Sequence, residues 1–331
     1  MAKYGWYDIA LRISRSLDQG NYPSITVKTM KKLTLLVLLL TILFALSLSY
    51  MVMAQQAPTA DYNVFIPIAF SVIPPPAPPP QTNAITADHT VISKFTSIPS
   101  SALASAAALK TLFMHQSTGG YIEYLGLQCL EGLHDDPANF PQECISYAKT
   151  PYVPYDYRNW TWKLWDEPMA DAIAKTDQWV SVVRAQQGNY QVLGMKFCYV
   201  DGWNQDFTYY RDHMLELERA YPNKIFIWST SALWNDPGTA CQDNGFNSCR
   251  NMSEFNQQVR DFANANHKPL YDVADIESHD PNGNLCLTAG YEGLCAAYYS
   301  DGGGHPNATG SIRLAKGFWY LMAEISGWSG N

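Results

Sequence analysis

The sequence predicts an α/β fold in which a central, mostly parallel sheet is covered by helices on both faces. Three observations carry this. Short apolar runs recur between positions 110 and 274 without the in–out alternation of a half-exposed strand. The segments between them place apolar residues at helical spacing. The two kinds of segment alternate, as in a doubly wound sheet and unlike a sandwich or a helical bundle.

The first strand is expected at 110–114 (KTLFM). A helix follows over 166–186, with Asp166 as its cap, Pro168 in its first turn, and Met169, Ile173, Val180 and Val183 on one face. A buried strand is expected at 191–200 (QVLGMKFCYV), then a helix over 207–221 that aligns Tyr210, Met214 and Leu217. The pattern repeats with a strand at 224–230, a helix over 253–266 capped by Ser253, and a strand at 269–274. A last helix over 308–326 aligns Ile312, Ala315, Trp319 and Met322.

Composition narrows the class of protein. The chain has 331 residues, 47% hydrophobic and 16% charged, which excludes a disordered chain or a coiled coil. The net charge is −8; residues 1–54 hold six Lys/Arg against two Asp, a local +4, so −12 falls on the rest. An acidic body without a basic stripe offers nucleic acid no phosphate contacts, and no such partner is expected.

The organisation is read as a leader over 1–54, a Pro-rich linker over 55–86 and one folded domain over 87–331. No charged residue occurs from Leu33 to Met53, and Lys31 and Lys32 precede this apolar run. That is the pattern of a secretory signal with cleavage after Ala54, and Met30 reads as the true start. The run is also long enough to stay as a membrane tether through 33–53. Positions 74–80 hold six prolines, an extended spacer. An extracellular or cell-surface location follows. Cysteine usage agrees: six of the seven fall into close pairs, Cys129/Cys144, Cys241/Cys249 and Cys286/Cys295. They read as three local disulfides, although six cysteines allow 15 pairings. Cys198, inside an apolar run, reads as a buried free thiol.

Doubly wound folds place chemistry beyond the carboxyl ends of their strands. After the first strand the chain reads His115-Gln116-Ser117-Thr118-Gly119-Gly120. A serine at such a turn lies at the sheet edge beside backbone N–H groups able to hold an anion, and it needs a base to become a nucleophile. Before the last helix stands Asp301-Gly302-Gly303-Gly304-His305-Pro306-Asn307. A histidine on a glycine-rich loop with an upstream carboxylate suits a general base whose tautomer the carboxylate fixes. His115 is read as ordering the turn or sitting against the core. The acid-rich stretch 272–280 lacks the spacing of a calcium loop, so no metal and no cofactor is expected.

Together these two segments resemble the SGNH/GDSL hydrolase family, most closely a secreted branch with His-Gln-Ser-x-Gly in place of Gly-Asp-Ser. The resemblance covers most of 110–325 in order of elements, and in motif only these two segments. It implies a three-layer α/β/α sandwich of flavodoxin-like order and ester hydrolysis through an acyl-enzyme. It also implies Ser117 as nucleophile, His305 as base and Asp301 as its partner. The chain departs from the family in two further places. Asp301 stands four residues before His305 instead of three. The block that supplies an oxyanion-holding Asn is not seen. Asn204, after the third apolar run, is the candidate for that donor, and Gly119 for the oxyanion glycine. The expected substrate is a small-molecule or polysaccharide ester, such as an acetylated carbohydrate, with the aromatic clusters 155–165 and 228–234 read as a sugar groove or as packing. The rival reading is a non-catalytic carbohydrate-binding or surface module on the same fold.

Overall fold

The computed structural model describes residues 84–132, 155–166, 171–235, 241, 248–299 and 304–330. Six strands form the main sheet: β1 (Thr86–Ala87), β2 (Thr111–His115), β3 (Trp160–Leu164), β4 (Val192–Met195), β5 (Ile225–Ser229) and β6 (Leu270–Tyr271). Their order is β1-β6-β5-β4-β2-β3, and every pairing is parallel. Setting β1 aside, the remaining five follow the 2-1-3-4-5 order of flavodoxin-like sheets. A short antiparallel hairpin, β7 (Leu287–Thr288) with β8 (Tyr291–Glu292), stands apart.

The helices are α1 (Ser100–Ala108), α2 (Thr118–Tyr121) and α3 (Gln128–Glu131), then α4 (Ala172–Gln186), α5 (Phe207–Ala220), α6 (Ser248–Ala265), α7 (Val273–Ser278) and α8 (Ala308–Ile325). A π-helical turn, Ile122–Leu127, joins α2 to α3. The period-two geometry of β2 divides the core. Phe113 points to one face with Ile122, Trp160, Trp162, Phe318 and Trp319. Leu112 and Met114 point to the other, with Trp179 of α4, Met214 of α5 and Phe255 of α6. The result is a three-layer α/β/α sandwich. α8 is buried over most of its circumference, which is why its pattern is far more apolar than an amphipathic surface helix.

Several boundaries differ from the sequence expectation, each for a local reason. Thr86 falls in the stretch read as linker, yet it pairs with Leu270 at the sheet edge. Asp171, not Asp166, caps α4 by accepting the Ala174 N–H at 3.0 Å. The apolar run 191–200 is strand only to Met195; a 3-10 turn, Tyr199–Asp201, follows. Ser253 lies inside α6, which begins at Ser248. β6 ends at Tyr271 because the Asp272 side chain accepts the Asp275 N–H and starts α7. β3, not expected as a strand, pairs residue for residue with β2.

Cys241–Cys249 and Cys286–Cys295 are disulfides. Cys129 is also disulfide-bonded, Cys144 lies outside the described residues, and Cys198 is a buried free thiol. The leader, the polyproline spacer, the possible tether over 33–53 and Met30 lie outside the described residues. No helix among the described residues is long and apolar enough to cross a membrane.

One buried ion pair fixes the turn after β4. Lys175 Nζ on α4 donates to both Asp201 carboxylate oxygens at 2.7 Å, and both side chains are fully buried. Asp201 also accepts the Cys198 N–H at 2.7 Å, which closes the 3-10 turn. Removing one partner leaves the other charge without compensation in the core. Lys175→Met is therefore expected to cost about 3–5 kcal/mol, read from the shift in chemical denaturation. A loss below about 1 kcal/mol would contradict this role.

Candidate active site

The sheet topology itself says where a crevice forms. From β2 the chain passes to the face holding Ile122 and Leu127, while from β4 it passes to α5 on the opposite face. Neighbouring strands whose connections leave in opposite directions open a gap at their carboxyl ends. The gap lies between β2 and β4, so its walls begin at Ser117 and at Tyr199.

Ser117 is the N-cap of α2, with φ of 51° and ψ of −104°. A positive φ at a residue with a Cβ is strained, and such strain persists where surrounding structure enforces it. Here the enforcement comes from both sides: β2 fixes His115, and the Ser117 carbonyl accepts the Gly120 N–H at 2.8 Å. At the N-terminus of the helical segment 118–131, the Ser117 and Thr118 N–H groups have no preceding helical turn to bond.

Opposite stands His305. Its loop is pinned at Asn307, which caps α8 by accepting the Gly310 N–H at 3.0 Å and donates from Nδ2 to the Ala297 carbonyl at 2.9 Å. Thr118 Oγ1 donates to the Gly304 carbonyl at 3.3 Å, tying the serine turn to the histidine loop. The Ser117 Oγ and His305 Nε2 atoms are in direct hydrogen-bond contact across 188 positions of sequence. The imidazole stacks on Tyr121, with centroids 4.8 Å apart, and meets the edge of Tyr199 at 5.5 Å.

Tyr199 was not anticipated as a site residue. Its hydroxyl is 3.4 Å from His305 Nε2, and its ring packs edge-on against Trp234. A Cβ at position 304 would collide with the Tyr199 ring, so a glycine there lets the loop close over it. In sequence, Tyr199 stands near the end of the apolar run 191–200, close to where the family resemblance puts its missing donor block.

The other expected site residues fall elsewhere. Asp301 lies outside the described residues. The Asn204 amide is committed to the start of α4: Oδ1 accepts the Ala172 N–H and Nδ2 donates to Asp171 Oδ1, each at 2.9 Å. That engagement gives the amide a structural role at the helix start. The Gly119 N–H donates to the Gln116 carbonyl at 3.0 Å, so it too is not the free donor expected. Gly119 is a glycine because a Cβ would strike the His115 side chain. The cluster 155–165 is not a sugar groove: Trp160, Trp162 and Trp165 are buried, the first two against Phe318.

Buried ionisable groups lie near the site. Burial, with the Lys196 charge second, pushes the His115 imidazole down to about 3, and neither ring nitrogen has a hydrogen-bond partner. Its Nε2 stands 3.7 Å from Glu123 Oε2, a carboxyl that burial raises to about 7. Glu277 of α7 accepts the Leu233 N–H at 2.6 Å, while its Oε1 has no partner. Burial raises this carboxyl to about 8, and burial lowers Lys196.

No family model and no curated protein matches the sequence. Several solved structures align with most of the chain at low identity. One, described as a "putative acylhydrolase" from Bacteroides fragilis, is 10% identical, with a TM-score of 0.43 over 71% of this chain and 95% of that one. A GDSL-like lipase from Bacteroides thetaiotaomicron is 11% identical, with a TM-score of 0.39 over 69% and 94%. A catalytic mutant of an acetylxylan esterase from Geobacillus stearothermophilus is 14% identical, with a TM-score of 0.34 over 67% and 96%.

The raised Glu277 carboxyl has a signed consequence for stability. The folded chain holds this proton to about pH 8, whereas the unfolded chain releases it near 4.5. Its contribution is complete below the lower value and is lost as pH rises through the upper one. Tm is expected to fall more steeply between those limits in the native chain than in Glu277→Gln, which keeps an acceptor for Leu233 without a titrating proton. Parallel Tm–pH curves from scanning calorimetry would contradict the assignment.

Proposed function

We propose that this chain is a serine ester hydrolase of SGNH type, exported from the cell and acting on an acylated carbohydrate. The observation that carries the reaction class is the Ser117 Oγ to His305 Nε2 contact at the sheet's switch point. Neither residue is buried completely, so substrate has access to both. In the first step Ser117 Oγ attacks the ester carbonyl carbon while His305 Nε2 takes the hydroxyl proton. The tetrahedral oxyanion is met by the Ser117 and Thr118 N–H groups at the helix N-terminus. Collapse breaks the bond to the alcohol oxygen, which leaves with the proton from His305. Water then attacks the acyl-enzyme, again giving its proton to His305, and the carboxylic acid and free Ser117 are released.

Tyr199 serves as a further hydroxyl donor to the oxyanion, in place of the family's Asn, and Asp301 orients His305. Export is supported by the disulfides and by the signal-like segment before position 54. The carbohydrate part rests on export and on two exposed rings, Tyr124 on the helical segment that starts at Ser117 and Trp203 just beyond the Tyr199 turn. Flat rings of this kind stack on sugar faces.

The full chain is expected to hydrolyse a short-chain aryl acetate, with Ser117→Ala lowering kcat by at least about a thousandfold. Equal rates for the two proteins would favour the non-catalytic binding module. Tyr199→Phe removes one donor and is expected to lower kcat by about ten- to a hundredfold with KM little changed. A change confined to KM would place the hydroxyl in substrate binding and not in the oxyanion site.

A further inference from the structure

We propose that Tyr121 is a positioning residue of the Ser117–His305 chemistry, its ring face holding the His305 imidazole toward Ser117 and stabilising the imidazolium that forms there. The inference rests on the ester-hydrolase reading and adds to it a residue that neither the serine turn nor the histidine loop suggests in sequence.

Nucleophile and platform are built on one turn. Tyr121 ends α2, and the Ser117 carbonyl accepts both the Gly120 N–H at 2.8 Å and the Tyr121 N–H at 3.3 Å. The Tyr121 and His305 ring planes lie 19° from parallel with centroids 4.8 Å apart, a face-to-face stack. Tyr199 meets the same imidazole nearly at right angles, at 77°. A ring stacked on one aromatic and crossed by another cannot tilt without striking one of them, so Nε2 stays directed at Ser117 Oγ. A hold from outside the histidine loop matters because Gly302, Gly303 and Gly304 precede His305, and glycine restrains a chain least.

Core packing does not account for Tyr121. Its neighbour Ile122 enters the apolar core, whereas Tyr121 is half-buried and joins none of the core clusters among the described residues. Its ring lies instead against His305. An aromatic face carries the negative part of the ring quadrupole and attracts a cation lying over it. A neutral imidazole gains little from this attraction, and an imidazolium gains more. His305 becomes imidazolium as it takes a proton, from Ser117 Oγ in acylation and from water in deacylation. It gives that proton to the leaving alcohol in the first half and back to Ser117 Oγ in the second. The attraction is therefore stronger in each transition state than in the state before it, which is the condition for faster chemistry as opposed to tighter binding.

The test uses the full chain with phenylalanine, and then increasingly fluorinated phenylalanines, installed at position 121. It reads kcat and KM for a short-chain aryl acetate, with Ser117→Ala measured alongside. Fluorine withdraws negative charge from the ring face and keeps the ring's shape, so a purely structural role does not respond to it. Tyr121→Phe keeps the face and is expected to stay within about twofold of the native kcat. Full fluorination should lower kcat by about three- to thirtyfold, in step with the fluorine count and with KM little changed. A kcat that is flat across the fluorinated series, or a change confined to KM, would overturn the platform even where the loss in Ser117→Ala upholds the ester reading. Native activity in Ser117→Ala would remove the chemistry itself, and the platform with it.

Discussion

The divergence of two neighbouring parallel strands is the constraint from which the rest follows. β2 and β4 pair in register, Thr111 with Val192 through Met114 with Met195. Their outgoing chains then part toward opposite faces of the sheet. Backbone hydrogen bonding that is continuous through the strands stops at that line, leaving polar groups to be satisfied by something else. Ser117, Tyr199 and the loop of His305 occupy that space. The strained backbone at Ser117 is tolerable because the strand before it and the helical turn after it are both committed.

The site is supported from beneath by charges that never reach solvent. Lys175 and Asp201 hold the turn that presents Tyr199, and Asp201 does so through the Cys198 N–H. Lys196, the residue after β4, is buried, and its Nζ donates to the neighbouring Phe197 carbonyl. Buried ion pairs are often replaceable as a whole by packed apolar residues without loss of stability. What the charged groups supply is a single geometry, since a buried carboxylate with fixed donors has few alternative placements.

The sheet and most helices were legible because apolar period is a local property: 110–114, 207–221 and 308–326 each declare themselves within one window. β1 was not legible, being only two residues and defined by a partner far along the chain, whereas β6 was placed within 269–274 and only its end was overextended. β3 was hidden by its aromatic residues, whose burial against α8 cannot be told in sequence from a ligand-facing cluster. Ser117 and His305 were legible through loop chemistry, Ser before a Gly pair and His after a Gly run. Asn204 was ambiguous because an amide near a strand end serves a helix cap as readily as an oxyanion. Tyr199 was missed because a tyrosine ending an apolar run looks like core until the loop of His305 is folded over it.

The last rung of the sheet bears on how molecules of this kind coexist when crowded. β1 offers only Thr86 and Ala87 along the margin beyond β6, and the backbone then coils into the 3-10 helix His89–Ser97. A neighbouring chain seeking to extend the sheet there would find too few free amides and carbonyls for a lasting ladder. The brevity of that strand thus acts as a stopper against edge-to-edge polymerisation, which matters most at high local concentration.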